Sequence, residues 1–136
     1  MSREVTVDVD KNSGFCAGVI RAVNIAEEKL EHEKNRKIFS LGALVHNEAV
    51  LSGLETAGLV TIDREDLDEM QSVENADLII RAHGEPPATY ARAEALGFKV
   101  VDCTCPVVLQ LQKRIRTAYL QQKKAGKGQI VIFLSL

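Results

Sequence analysis

The sequence is poor in the features that would assign it to several common classes. No apolar run approaches the about 20 residues that a bilayer span requires, and Met1-Ser2-Arg3-Glu4 lacks the shape of a signal peptide. Neither sign of charge dominates. A net charge of −2 gives no footprint for nucleic acid and no polybasic membrane patch. Cysteine is scarce and odd in number, three in all, which argues against a disulfide framework. The expectation is a cytoplasmic chain with reduced thiols, no nucleic-acid partner and no membrane contact. The phosphate fingerprints G-x-G-x-x-G and G-x-x-x-x-G-K-S/T are missing, as is the nucleophile elbow G-x-S-x-G. Cys103-x-Cys105 is not the C-x-x-C of zinc ribbons or thioredoxins. There is no internal repeat and no low-complexity linker.

What is present is an ordinary globular composition: 136 residues, 46% apolar and 26% charged. A chain of this length is enough for one domain with a real core. Short β-like runs alternate with helical stretches. Val5-Thr6-Val7-Asp8-Val9 alternates as a strand does. Val19, Ala22, Val23, Ala26 and Leu30 have the spacing of one helix face. Ile38–Leu41 reads as a second strand, and Val50 to Ala57 as a helix that Gly58 is placed to end. Leu59–Ile62 reads as a short strand, Arg64–Gln71 as an acidic, weak helix, and Leu78–Ile80 as a buried strand. Pro86 or Pro87 opens a helix that stops near Gly97, and Phe98–Val101 is another strand. Pro106 opens a long helix ended by Gly126 and Gly128, and Gln129–Leu136 reads as a final apolar strand. The alternation predicts an α/β fold with a mostly parallel sheet flanked by helices. An apolar strand at Leu136 reads as leading into a further element, so a truncated chain is expected.

Each unusual side chain follows a predicted strand: Cys16, His46, His83, and the pair Cys103 and Cys105. In a parallel sheet the carboxyl ends of the strands share one edge, where ligands bind. Gly14 and Gly18 permit close backbone approach around Cys16, and a helix start there would favour negative charge on sulfur. Cys105, before Pro106, would also sit at a helix start. Either thiol could instead be an inert core residue. Cys103 could join Cys105 at the rim, and the favoured reading is a core residue closing the strand. His46 and His83 are either ordinary capping histidines or donors to an anion held at helix starts, such as a phosphate. His32 reads as solvated surface. Thiolates with imidazoles suit an iron–sulfur cluster or zinc, and the spacing does not separate the two.

The ordered segments Gly14-Phe15-Cys16-Ala17-Gly18-Val19, Val45-His46-Asn47, Ala82-His83-Gly84 and Thr104-Cys105-Pro106 resemble those of the hydroxymethylbutenyl diphosphate reductase (LytB) family. The resemblance covers essentially the whole chain, but only the front portion of a family member. It implies three similar α/β domains around a cavity, each giving one cysteine to a 4Fe–4S cluster with an open iron. Residues 1–105 would form the first domain, and 106–136 the opening helix and strand of a second. Cys16 and Cys105 would be two cluster ligands, with the third cysteine absent from this chain. His46 and His83 would hold the diphosphate. The resemblance implies reductive dehydroxylation to isopentenyl and dimethylallyl diphosphate, the last step of the non-mevalonate isoprenoid pathway, with ferredoxin or flavodoxin as electron donor.

The family's Gly-His motif, its proton-delivering glutamate and its Ser/Asn diphosphate ligands have no counterpart here. No catalytic residue is therefore assigned, and the chain alone is expected to be inactive. Cys103 stands where alanine is expected, and Glu48 and Glu85 match no catalytic position. The competing readings are a zinc module built on Cys16, Cys103, Cys105 and a histidine, or a phosphate-binding α/β domain with structural cysteines.

Overall fold

The computed structural model describes residues 5–10 and 13–133. Its elements, in chain order, are α1 (Ala17–His32), β1 (Lys37–Leu41), α2 (Glu48–Thr56), β2 (Leu59–Ile62) and α3 (Arg64–Glu69). They continue with β3 (Ala76–Ile80), α4 (Pro87–Ala95), β4 (Lys99–Asp102) and α5 (Pro106–Ala125). The strands form one sheet in the order β2-β1-β3-β4, and every neighbouring pair is parallel. This is the expected α/β architecture.

Local chemistry explains the starts of three helices. Asn47 caps α2 by accepting the Val50 N–H at 3.1 Å. Asp63 and Asp66 form a reciprocal capping box that starts α3 immediately after β2. Pro87 opens α4, where its missing N–H costs nothing.

Central β3 is buried at every position, which is why its sequence is a continuous apolar run around Asp77. Alternate residues face two cores. Leu78 and Ile80 pack with Phe39, Leu41 and residues of α3 and α4, while Ile79 packs with Ala22 and Ala26 of α1 and Leu54 of α2. The rings of Phe39 and Phe98 meet edge to face at 5.3 Å between centroids.

Two strand expectations fail. Val5–Val9 forms no strand: Val5, Val7 and Val9 are 78%, 79% and 77% exposed, with no sheet partner among the described residues. Period-two alternation shows that a segment suits a half-buried sheet face, and it does not supply the neighbouring strand. Residues 129–133 likewise carry no strand, and the rest of that expected element lies outside the described residues. The long helix forms where the spacing placed it, yet α5 buries none of its residues.

At the amino-terminal side of the sheet, the Asp77 carboxylate lies under the end of α1. Lys29 Nζ donates to it at 2.6 Å and Arg36 Nε at 2.5 Å. Lys29 also reaches Glu33 at 2.8 Å, one turn on. Burial alone would push the Asp77 carboxyl up, but the hydrogen bonds and charges of Lys29 and Arg36 outweigh it and hold it below the ordinary range. The same contacts, with Glu33, overcome the burial of Lys29 and raise its pKa.

Because the folded-state value of Asp77 is depressed, its contribution to stability is present at neutral pH and lost as pH falls through that value. Asp77→Asn should cost about 3 kcal/mol at neutral pH, since it leaves the two cations without their carboxylate. Urea denaturation at neutral pH and at about pH 3 should show the gap between variant and parent narrowing in acid.

Candidate functional site

Two cysteines occupy equivalent places. Cys16 is the N-cap of α1 and Cys105 the N-cap of α5, both with extended backbone, and neither side chain caps its own helix. The first-turn N–H groups of both helices are therefore left for another acceptor. Cys16 opens a helix as expected, but the strand expected before it is not formed.

The two helix starts meet at Gly18. A Cβ built there would lie 2.9 Å from Cys105 Cβ, 3.0 Å from Cys105 Sγ and 3.7 Å from Ala82 Cβ. Glycine is the side chain that lets α1 come this close to Cys105. The parallel ladder extends past the strand ends to hold the other half. Cys103 N–H donates to Ile80 C=O at 2.9 Å, and Cys105 N–H to Ala82 C=O, also at 2.9 Å.

That second bond ties Cys105 to the residue before His83. The His83 turn closes through Gly84 N–H to Arg81 C=O at 3.0 Å. Gly84 has φ +74, and a Cβ there would lie 3.0 Å from Thr104 Cγ2. Thr104 is itself fixed: its N–H and its hydroxyl both donate to Asp102 Oδ1, at 2.9 and 2.5 Å. His83 is exposed and lines an open cleft of about 700 Å³ with Tyr90, Asp102 and Gln112.

The structure thus brings Cys16, Cys105 and His83 to one rim. His46, also exposed, stands beside the Asn47 cap at the start of α2, on the loop that follows β1, the strand next to β3. His32 is solvated, its side chain 68% exposed.

Cys103 is wholly buried, as the favoured reading had it, and packs among Ala22, Ala26 and Ile79. Burial pushes its thiol up, away from the reactive thiolate form. Among the described residues no group of three or more His, Cys, Asp or Glu is placed to hold a metal ion, so the zinc site of Cys16, Cys103, Cys105 and a histidine is not assembled. Cys16 and Cys105 do suit a soft, thiophilic group: two thiols at uncapped helix starts, with Gly18 of the first helix in close contact with Cys105.

Residue patterning did not reveal the charged partners of the His83 turn. Glu85 is nearly enclosed, its side chain 2% exposed, and pairs with Arg64 at 2.6 Å and Arg81 at 3.9 Å. The one available signal was the four-residue spacing of Arg81 and Glu85 on either side of His83.

The Gly18 contact gives a stability test. Gly18→Ala should cost about 1–3 kcal/mol, because the new methyl must displace the Cys105 side chain or α1. Gly53→Ala, in α2 with nothing within 4 Å, should instead stabilise by roughly 0.5–1 kcal/mol. Chemical denaturation of both variants reads the difference; equal effects would contradict the close approach.

The family model described as LytB protein matches residues 7–133. A 4-hydroxy-3-methylbut-2-enyl diphosphate reductase of Bacteroides fragilis is 45% identical over 129 residues, covering 95% of this chain and 42% of the relative. One from Chlorobium phaeovibrioides is 49% identical over 108 residues, covering 79% of this chain and 33% of the relative. The solved E-1-hydroxy-2-methyl-but-2-enyl-4-diphosphate reductase of Plasmodium falciparum superposes with a TM-score of 0.71 at 31% identity, covering 82% of this chain and 34% of that one. The chain therefore spans less than half the length of the curated relatives it matches. Its four-stranded parallel sheet and its sequence together place it: this chain belongs to the LytB protein family.

Proposed function

We propose that this chain is the N-terminal part of an iron–sulfur reductase that converts hydroxymethylbutenyl diphosphate to isopentenyl and dimethylallyl diphosphate. The observation that carries the reading is the meeting of two uncapped cysteine-bearing helix starts at Gly18, one backbone hydrogen bond away from the His83 turn. A Bacteroides fragilis relative named 4-hydroxy-3-methylbut-2-enyl diphosphate reductase aligns along 95% of the chain, which supports it.

Cys16 and Cys105 would hold two iron corners of a 4Fe–4S cluster, with the third cysteine supplied from outside these 136 residues. When bound, such a cluster supplies electrons and a Lewis-acidic iron for removal of the allylic hydroxyl as water. N–H groups in the first turns of α1 and α5 would favour the negative charge of such a group. His83, on its pinned turn, donates to the diphosphate, and His46 does the same from the start of α2. Cys103 takes no part.

The core residues lie within 1–105, while α5 buries none, which supports a first domain ending at Cys105 and a second opened by 106–136. The electron donor would be a ferredoxin or flavodoxin and the location cytoplasmic. Among the described residues, no helix is long and apolar enough to cross a membrane.

The test is anaerobic reconstitution with iron and sulfide. The chain should retain both, Cys16→Ser and Cys105→Ser should each lose most of them, and Cys103→Ala should keep them. Substrate with a chemical reductant should be turned over by a protein of the relatives' full length carrying this chain, and not by the chain alone. Zinc retention without sulfide, or full iron retention after loss of both Cys16 and Cys105, would refute the reading.

A further inference from the structure

The charged residues around the His83 turn have no role in the reading above, yet their arrangement is specific. Arg64, the first residue of α3, donates to Glu85 Oε2 twice, from Nε at 2.9 Å and Nη2 at 2.6 Å. Arg81 Nη2 approaches Glu85 Oε1 at 3.9 Å. The Arg81 guanidinium also lies over Gly42, where a Cβ would come within 2.9 Å of Nη1. Gly42 follows β1, Arg64 follows β2, and Arg81 and Glu85 follow β3. The segments after β2 and β3 are therefore joined through one carboxylate that is almost closed to solvent, and Arg81 packs beside the end of β1.

His83 sits midway between Arg81 and Glu85; Glu85 is bonded to Arg64 of α3, and Arg81 packs beside Gly42. The anchor for Glu85 is rigid, because the Asp63–Asp66 capping box fixes the start of α3. Arg81 packs over Gly42, at the start of the β1–α2 loop that carries His46 four residues further on, and its buried Nε has no hydrogen-bond partner there. We propose that Glu85 is a positioning residue: held by Arg64 and Arg81, it fixes the turn that presents His83, and couples that turn to the His46 loop, for binding of a diphosphate. The inference rests on the anion-binding reading of the two histidines.

Simple electrostatics and positioning predict opposite signs. Removing a negative charge beside an anion site strengthens anion binding if charge alone matters. If Glu85 positions His83, Glu85→Gln weakens binding, because an enclosed carboxylate with charged donors is replaced by a neutral amide.

The probe is inorganic pyrophosphate, titrated into the isotopically labelled chain and followed through the His83 and His46 imidazole resonances. Glu85→Gln should bind about tenfold more weakly than the parent, Glu85→Asp should recover part of the loss, and Glu94→Gln should match or exceed the parent. Without pyrophosphate, the Gly84 amide, bonded to Arg81 C=O, should exchange about tenfold faster in Glu85→Gln, with Leu78 and Ile79 unchanged. Tighter or unchanged binding by Glu85→Gln, with unchanged Gly84 exchange, overturns the proposal. If the parent binds no pyrophosphate, the anion reading of the histidines fails, and Gly84 exchange alone decides whether Glu85 holds the turn. If Glu85→Gln does not fold, Arg64→Gln removes the same anchor from a side chain 60% exposed, and the same outcomes decide.

Discussion

The close approach of α1 to Cys105 at Gly18 is the constraint on which the rest of the site depends. Cys16 and Cys105 are far apart in sequence and lie on helices that open from different parts of the fold. The start of α1, two residues after Cys16, can rest against Cys105 because residue 18 has no side chain. A methyl group in that gap would move one thiol relative to the other. The site is thus set by packing of two helix ends, with the sheet fixing only the Cys105 half through the extension of its ladder.

Helix α1 is held at both ends by different physics. Its carboxyl end is tied to β3 by Lys29 on the buried Asp77, with Arg36 just beyond the helix adding a second donor. Its middle contributes Ala22 and Ala26 to the core beneath Ile79. Its amino end carries Cys16, which is exposed. The polar anchor lies at the opposite end of the helix from the thiol, so the buried ion pairs orient the helix that carries Cys16 without entering its chemistry. The His83 turn is treated similarly: two backbone hydrogen bonds and Thr104 shape it, while Arg81 and Glu85 secure its ends.

Much of this was legible in the residues. Glycines and prolines at helix boundaries located Cys16 and Cys105 at helix starts, and the apolar run of β3 announced a buried parallel strand. Cys103 read as core and is core. The failures share a cause. Alternation in Val5–Val9 describes a face and says nothing of the strand that would pair with it, and that segment has no partner among the described residues. The apolar spacing of α5 predicted a helix correctly, but Val107, Leu111 and Tyr119 remain exposed. The Arg64–Glu85 pair was invisible because a contact across 21 positions exists only once β2 and β3 are placed on either side of β1.

The central claim is that Cys16 and Cys105 together, and without Cys103, bind one soft metal group. Cadmium, a spectroscopically active thiophilic ion, tests this directly in the folded chain. A single bound cadmium should show scalar coupling to the β-protons of both Cys16 and Cys105 and none to Cys103. Coupling to one of the two alone, or to Cys103, would contradict the account.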